Sequence, residues 1–240
     1  MRSGIRYSPL EPGTFEQIPQ RTIDEEVLGS VRRAIVSGRL APGRALNQSE
    51  IAGQMGISRI PLREALRKLE QEGLIVTRAN RAWHVVSFTD GDVNEVFSLR
   101  SGLESMAFRW SVPRMEPQDI QHLHDLIDRQ SEAINRQAHD ELAALDMSFH
   151  EYICIKADHS RLLKAWYEQH AQCQMLLNLR FRHMPDYTPG TVIADHLGIL
   201  KAIEQGYVQK AIDLTHEISQ RVAQECVETL HALLGDTTEG

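Results

Sequence analysis

Apolar residues recur at helical spacing from Ile23 to Ser37, where Val27, Val31, Ala34 and Ile35 share a face, and Gly38 stops the helix before a loop at 39–44. Two shorter helical stretches follow: Gln48 to Met55, with Asn47 as N-cap, and Pro61 to Glu72, with Ser58 as cap and Gly73 as stop. Gly56-Ile57-Ser58 joins them, which predicts a helix-turn-helix whose second helix is the element that inserts into a major groove. Leu74 to Thr77 and Trp83 to Val86 are β-prone and, separated by Arg78-Ala79-Asn80-Arg81, predict a hairpin wing. From Thr89 onward the pattern is helical almost throughout. Breaks at 113–117, 137–139, 158–159, 185–190 and 206 predict six helices, over 90–112, 117–137, 140–157, 160–183, 189–205 and 207–234. Pro117 suits a first helical position, Ser160 suits a cap, and loops this short imply an antiparallel bundle.

The expected fold class is therefore mainly α, an N-terminal winged helix-turn-helix followed by a C-terminal antiparallel six-helix bundle. Residues 1–20, with Pro9, Pro12 and Pro19 and no periodicity, read as a flexible arm ahead of a unit at 21–88 and a helical unit at 89–240. The chain of 240 residues is long enough for two such domains. With 42% hydrophobic and 25% charged residues its composition is that of a soluble globular protein. No apolar run exceeds four residues and no signal-peptide core precedes Gly13, so the expectation is a soluble, cytoplasmic protein without a membrane partner. Three widely spaced cysteines form neither a disulfide framework nor a metal or redox pair.

The net charge of -7 would argue against nucleic acid if it were evenly spread, but it is not. Residues 21–88 hold 11 basic and 7 acidic side chains, whereas residues 89–240 hold 13 and 24. Within the basic unit, Arg59, Arg63 and Arg67 recur every four residues and put three guanidinium groups on one helix face, while Leu62, Ala65, Leu66 and Leu69 turn inward. Ser49 and Ser58 at helix starts can donate to phosphates, and Arg81 at the wing tip can reach the DNA backbone or minor groove. Three arginines alone would equally suit a solvated helix face.

In the acidic half, Asp146 and His150 stand at i and i+4, flanked by Leu142, Leu145, Phe149 and Ile153, so both point toward the bundle interior and need partners there. His196 lies beside the Ile199, Leu200 and Ile203 stripe of another helix and can converge on the same interior. A carboxylate with imidazoles from two helices suits Zn²⁺, Ni²⁺ or Mn²⁺, although spacing alone is weak evidence and favours a hydrogen-bonded core pair. Arg100, between Phe97 and Leu103, offers a bidentate clamp for a carboxylate, with an intramolecular pair to Glu104 as the alternative. Arg180 and Arg182 read as weaker pocket candidates, more suited to solvated positions.

Residues 22–88 resemble the winged helix-turn-helix regulators of the GntR family, through S-G-R-L-A-P-G-R-A-L at 37–46, S-E-I-A-G-Q-M-G-I-S-R-I-P-L-R-E-A-L at 49–66 and L-x-x-E-G-L-I at 69–75. Ala82 departs from the family's usual wing-tip glycine. Residues 90–232 resemble the all-helical FCD effector domain of the FadR subfamily in its six-helix form, through E-V-F-S-L-R-S-G-L-E, L-D-M-S-F-H-E-Y-I, D-H-S-R-L-L and D-H-L-G-I-L-K-A-I. The resemblance implies a homodimeric regulator, a repressor in the first instance, that binds double-stranded operator DNA and responds to a small carboxylate facing Arg100. Asp146, His150 and His196 match the first three of four metal ligands in many relatives, whereas the fourth position falls on Ile218. His216, two residues away, lies about 200° round the helix at roughly 100° per residue and is left out.

Two other functions compete with this reading. A metal-dependent enzyme of carboxylate metabolism would use Asp146, His150 and His196, but the sequence supplies no second carboxylate in a recognisable general-base motif, and neither H-E-x-x-H nor G-x-S-x-G occurs. The expectation is that the protein is not an enzyme and has no catalytic residues. A constitutive DNA-binding protein, with a purely dimerising bundle, would show an apolar or side-chain-filled bundle centre.

Overall fold

Val27, Val31 and Ile35 line the buried face of α1 (Ile23–Val36), which packs on α3 (Arg59–Gln71) through Leu62, Leu66 and Leu69. The computed structural model describes residues 23–78, 82–184 and 189–235. Between those helices α2 (Gln48–Met55) begins at Asn47, whose carboxamide oxygen accepts from the amides of Ser49 and Glu50 at 3.1 and 3.3 Å. It ends at Gly56, which takes the left-handed conformation, φ +65°, that the turn into α3 demands. The first helix of the helix-turn-helix is thus set by local chemistry at both of its ends. Helix α3 starts at Arg59, two residues before the start expected at Pro61, because a proline in the first turn forfeits no intrahelical hydrogen bond.

Strands β1 (Ile75–Thr77) and β2 (Trp83–Val85) pair antiparallel, with Ile75 opposite Val85 and Thr77 opposite Trp83, and Ala45 adds one bridge to His84. Buried Leu74, Ile75 and Val85 seal this wing against the helices. Its tip, including Arg81, lies outside the described residues.

Six further helices follow among the described residues: α4 (Asp90–Ser111), α5 (Pro117–Asn135), α6 (His139–Lys156), α7 (Ser160–His183), α8 (Pro189–Glu204) and α9 (Val208–Gly235). A reciprocal capping box between Thr89 and Asp92 fixes the start of α4, and a 3-10 turn at Val112–Arg114 carries the chain into α5. The cap of α7 is His159, not Ser160: its Nδ1 accepts from the Leu162 amide at 3.2 Å, which makes Ser160 the first helical residue. Helix α7 occupies the middle of the molecule, packing on α1, α4, α6 and α9. No helix among the described residues is long and apolar enough to cross a membrane.

Candidate metal centre and nucleic-acid interface

Helix α6 carries Asp146 and His150 one turn apart, and the packing of α8 brings His196 to meet them. All three are buried, and one donor atom from each lies within 4.8 Å of the other two. The Nε2 atoms of His150 and His196 stand 3.2 Å apart, with Asp146 Oδ1 3.5 Å from His196 Nε2. Phe149 flanks both rings, at centroid distances of 5.3 and 4.5 Å.

Glu104, which the sequence offered only as a partner for Arg100, organises this cluster. One of its oxygens accepts from Arg100 Nε at 2.7 Å, and the other lies 3.0 Å from His150 Nδ1. A carboxylate at Nδ1 favours the tautomer protonated there, leaving the Nε2 lone pair of His150 to face His196 and Asp146. Arg100 reaches on to Asp146 Oδ2 at 3.1 Å and Cys173 Sγ at 3.2 Å. Its fork therefore holds two protein carboxylates, and the intramolecular pair with Glu104 exists alongside a position on the cavity wall.

The electrostatics follow from burial and these pairs. Burial alone would raise Glu104 and Asp146, but the Arg100 guanidinium outweighs it, with help from the histidines, and holds each at about 2. Burial pushes His196 down to about 3 against the opposing pull of Asp146, so its imidazole is neutral at physiological pH. Cys173 is raised to about 11, chiefly by burial, and is a thiol.

Arg100, Glu104, Asp146, His150 and His196 line a cavity of about 30 Å³, room for an ion or a water or two. Arg180 also lines it. The sequence placed this arginine in solvent, but it is only 2% exposed and pairs with Glu225 at 2.5 Å, because α7 is packed on all sides at this level. Arg182, by contrast, is on the outer side, paired with Asp140. Ile218 is in the cavity wall, whereas His216 faces away from it toward Ser101 and Gln220. The bundle centre is thus neither apolar nor filled.

On the winged helix, Ser49, Arg59, Ile60, Arg63 and Ala82 surround one surface depression. Ser58 is exposed and its hydroxyl makes no capping bond, so it is free to donate outward. Arg67 is exposed but lies outside the depression, its guanidinium held by Glu64 at 2.8 Å.

A winged helix with an arginine-bearing exposed helix, joined to a bundle with a buried polar cavity, defines the class of ligand-responsive transcriptional regulators. Residues 23–85 match the family described as bacterial regulatory proteins, gntR family, and residues 95–221 match the FCD domain. The gluconate operon transcriptional repressor of Bacillus subtilis is 31% identical over 69% of each chain. The transcriptional repressor RspR of Escherichia coli is 26% identical over 86% of this chain and 91% of its own. Among solved structures, E. coli McbR/YncC superposes with a TM-score of 0.71 at 19% identity, covering 89% of this chain and 99% of that one. The chain belongs to the GntR family of bacterial transcriptional regulators, with an FCD domain following the DNA-binding module.

Proposed function

We propose that this regulator is a cytoplasmic repressor of the FadR subfamily that binds palindromic double-stranded operator DNA as a homodimer and changes its affinity when a small carboxylate enters the bundle. In this reading residues 21–88 bind DNA through Ser49, Ser58, Arg59, Arg63, Arg67 and Arg81, and residues 89–240 sense and dimerise; the arm expected at 1–20 lies outside the described residues. Asp146, His150 and His196 hold a divalent metal, and Arg100 steers the carboxylate.

The observation that carries the sensing role is the convergence of two imidazole Nε2 atoms and one carboxylate oxygen in a buried cavity. The donor set fits Zn²⁺, Ni²⁺ or Mn²⁺, since a neutral His196 and an ionised Asp146 are both in their ligand forms. Charge balance agrees. Among the described residues, Arg100, Arg180 and Arg221 face Glu104, Asp146, Asp195 and Glu225 through direct pairs, one more carboxylate than guanidinium. A divalent cation converts that excess into a single positive charge, which a monoanionic carboxylate neutralises. When bound, the metal would supply open positions for ligand oxygens, because Ile218 offers no fourth donor. The protein's own residues would orient the ligand and keep water out. A constitutive binder has no use for so costly a buried cluster.

Metal content tests this reading. Protein purified without chelator or affinity-column metal should carry about one equivalent per chain by elemental analysis, and the Asp146→Ala, His150→Ala variant almost none. Absence of metal from both, even after soaking with Zn²⁺, Ni²⁺ or Mn²⁺, would remove the metal from the proposal.

The homodimer draws support from α4. Leu99, Leu103, Met106 and Trp110 follow a 4-3-4 spacing along one face, and Leu99, Met106 and Trp110 are exposed in a single copy. Light scattering should give twice the 27.3 kDa chain mass, falling to one chain in Leu99→Glu, Met106→Glu. Unchanged dimer mass in that variant would place the interface elsewhere.

A further inference from the structure

Two consecutive residues of α7 look in opposite directions. Cys173 Sγ accepts from Arg100 Nη1 at 3.2 Å in the bundle centre, while Gln172 Nε2 donates to the carbonyl of Gly73 at 2.9 Å. Gly73 belongs to the turn that ends α3, the helix proposed to read DNA. That turn is a junction. Glu72 is paired with Arg32 of α1, Leu74 is fully buried, and the Leu74 carbonyl accepts from the Val86 amide of the wing at 2.9 Å. Gly73 has φ +69°, which favours glycine, and a Cβ there would stand 2.3 Å from Gln172 Nε2, so the Gln172 carboxamide sits in the space that the missing side chain leaves.

The alternation continues up the helix. Leu177 and Arg180 line the cavity, and between them Leu179 packs against Gly38 at the end of α1. A cavity of about 30 Å³ is an order of magnitude smaller than the space an organic ligand needs, so a ligand enters only if a wall moves. One wall is α7, and close-packed helices shift as rigid bodies in preference to bending.

From this geometry we propose that Gln172 is a positioning residue for the recognition helix: it ties α7 to the Gly73 turn, so that a change around Arg100 is delivered to α3 through Cys173 and Gln172. The proposal rests on the reading of the chain as a DNA-binding, ligand-responsive regulator. It requires no identified effector to test, because the Arg100 cluster can be disturbed by substitution.

The experiment uses full-length protein and the duplex that the wild type selects from a random-sequence pool, with affinity read by fluorescence anisotropy at fixed salt. Arg100→Lys removes the fork while keeping the charge, and Cys173→Ala removes only the thiol, which serves where the buried Arg100 variant fails to fold. Each should change the dissociation constant about fivefold or more in the wild-type background, the scale of a functional coupling. In a Gln172→Ala or Gln172→Glu background the same change should fall below about twofold. Gln172→Glu preserves the shape but has no proton to give the Gly73 carbonyl, so it separates the hydrogen bond from packing. Equal effects in all backgrounds, or no effect of either cluster substitution in the wild type, would overturn the proposal. Failure of the wild type to select any sequence would instead overturn the DNA-binding reading on which it rests.

Discussion

Glu104→Ala is expected to cost about 3–5 kcal/mol of folding stability, enough to leave many domains of this size partly unfolded. The size follows from what the carboxylate neutralises. Glu104 is 2% exposed, and its two oxygens are divided between Arg100 Nε and His150 Nδ1. Deleting it leaves a buried guanidinium with Asp146 as its one remaining carboxylate partner among the described residues. Burial of an ion pair is weak evidence that the pair stabilises, but removal of one member is strongly unfavourable because the other stays buried and charged. An internal comparison is available in Asp140, whose partner Arg182 is on the surface; Asp140→Ala should cost no more than about 1 kcal/mol. Urea denaturation followed by circular dichroism reads both. A loss for Glu104→Ala as small as that for Asp140→Ala would mean that Arg100 is solvated or re-paired, and that the charge balance drawn for the cavity is wrong.

The winged helix was legible in the sequence to within two residues because its boundaries are set locally. Asn47, Gly56 and Gly73 act on their own neighbours, so their roles can be read without knowing what packs above them. The six bundle helices emerge for the same reason, from breaks and from periodicity. The meeting of Asp146, His150 and His196 was also foreseeable, since polar side chains set in apolar stripes on two helices have only the interior to share. Glu104 was harder. An Arg and a Glu four residues apart look identical in sequence on a solvated face and on a buried one, and α4 buries residues on several sides. Arg180 was misplaced because 175–181 is buried without interruption, which erases the polar face that would have fixed its direction. The Gln172 bond to Gly73 joins residues 99 apart and leaves no periodic trace. Long-range polar contacts of this kind are settled by how helices pack, a quantity no local pattern encodes.

Arg59→Ala should lower operator affinity by about 1–3 kcal/mol per subunit, roughly five- to 150-fold, and twice that free energy for a symmetric dimer on a palindrome. Three features single out this arginine among the candidates. It is the first residue of α3, where the recognition helix of such motifs meets base edges; it borders the depression shared with Ser49 and Arg63; and no carboxylate pairs with it among the salt bridges of the described residues. Arg67 differs on all three counts: it is two turns into α3, it lies outside the depression, and Glu64 already holds its guanidinium, so that breaking that exposed pair offsets part of any gain at a phosphate. Arg67→Ala should therefore cost clearly less than Arg59→Ala. Salt separates the two ways in which Arg59 can act. If it neutralises a phosphate, the substitution reduces the slope of log affinity against log salt by about 0.9 per subunit and weakens all duplexes alike. If it reads a guanine edge, the slope changes little, affinity for selected DNA falls, and discrimination at one position of each half-site is lost. The exposed, unpaired start of the helix favours base reading, because a side chain at that end points along the helix axis into the groove and not across it. Undiminished affinity and selectivity in Arg59→Ala, with the fold intact, would move the DNA interface off α3 altogether.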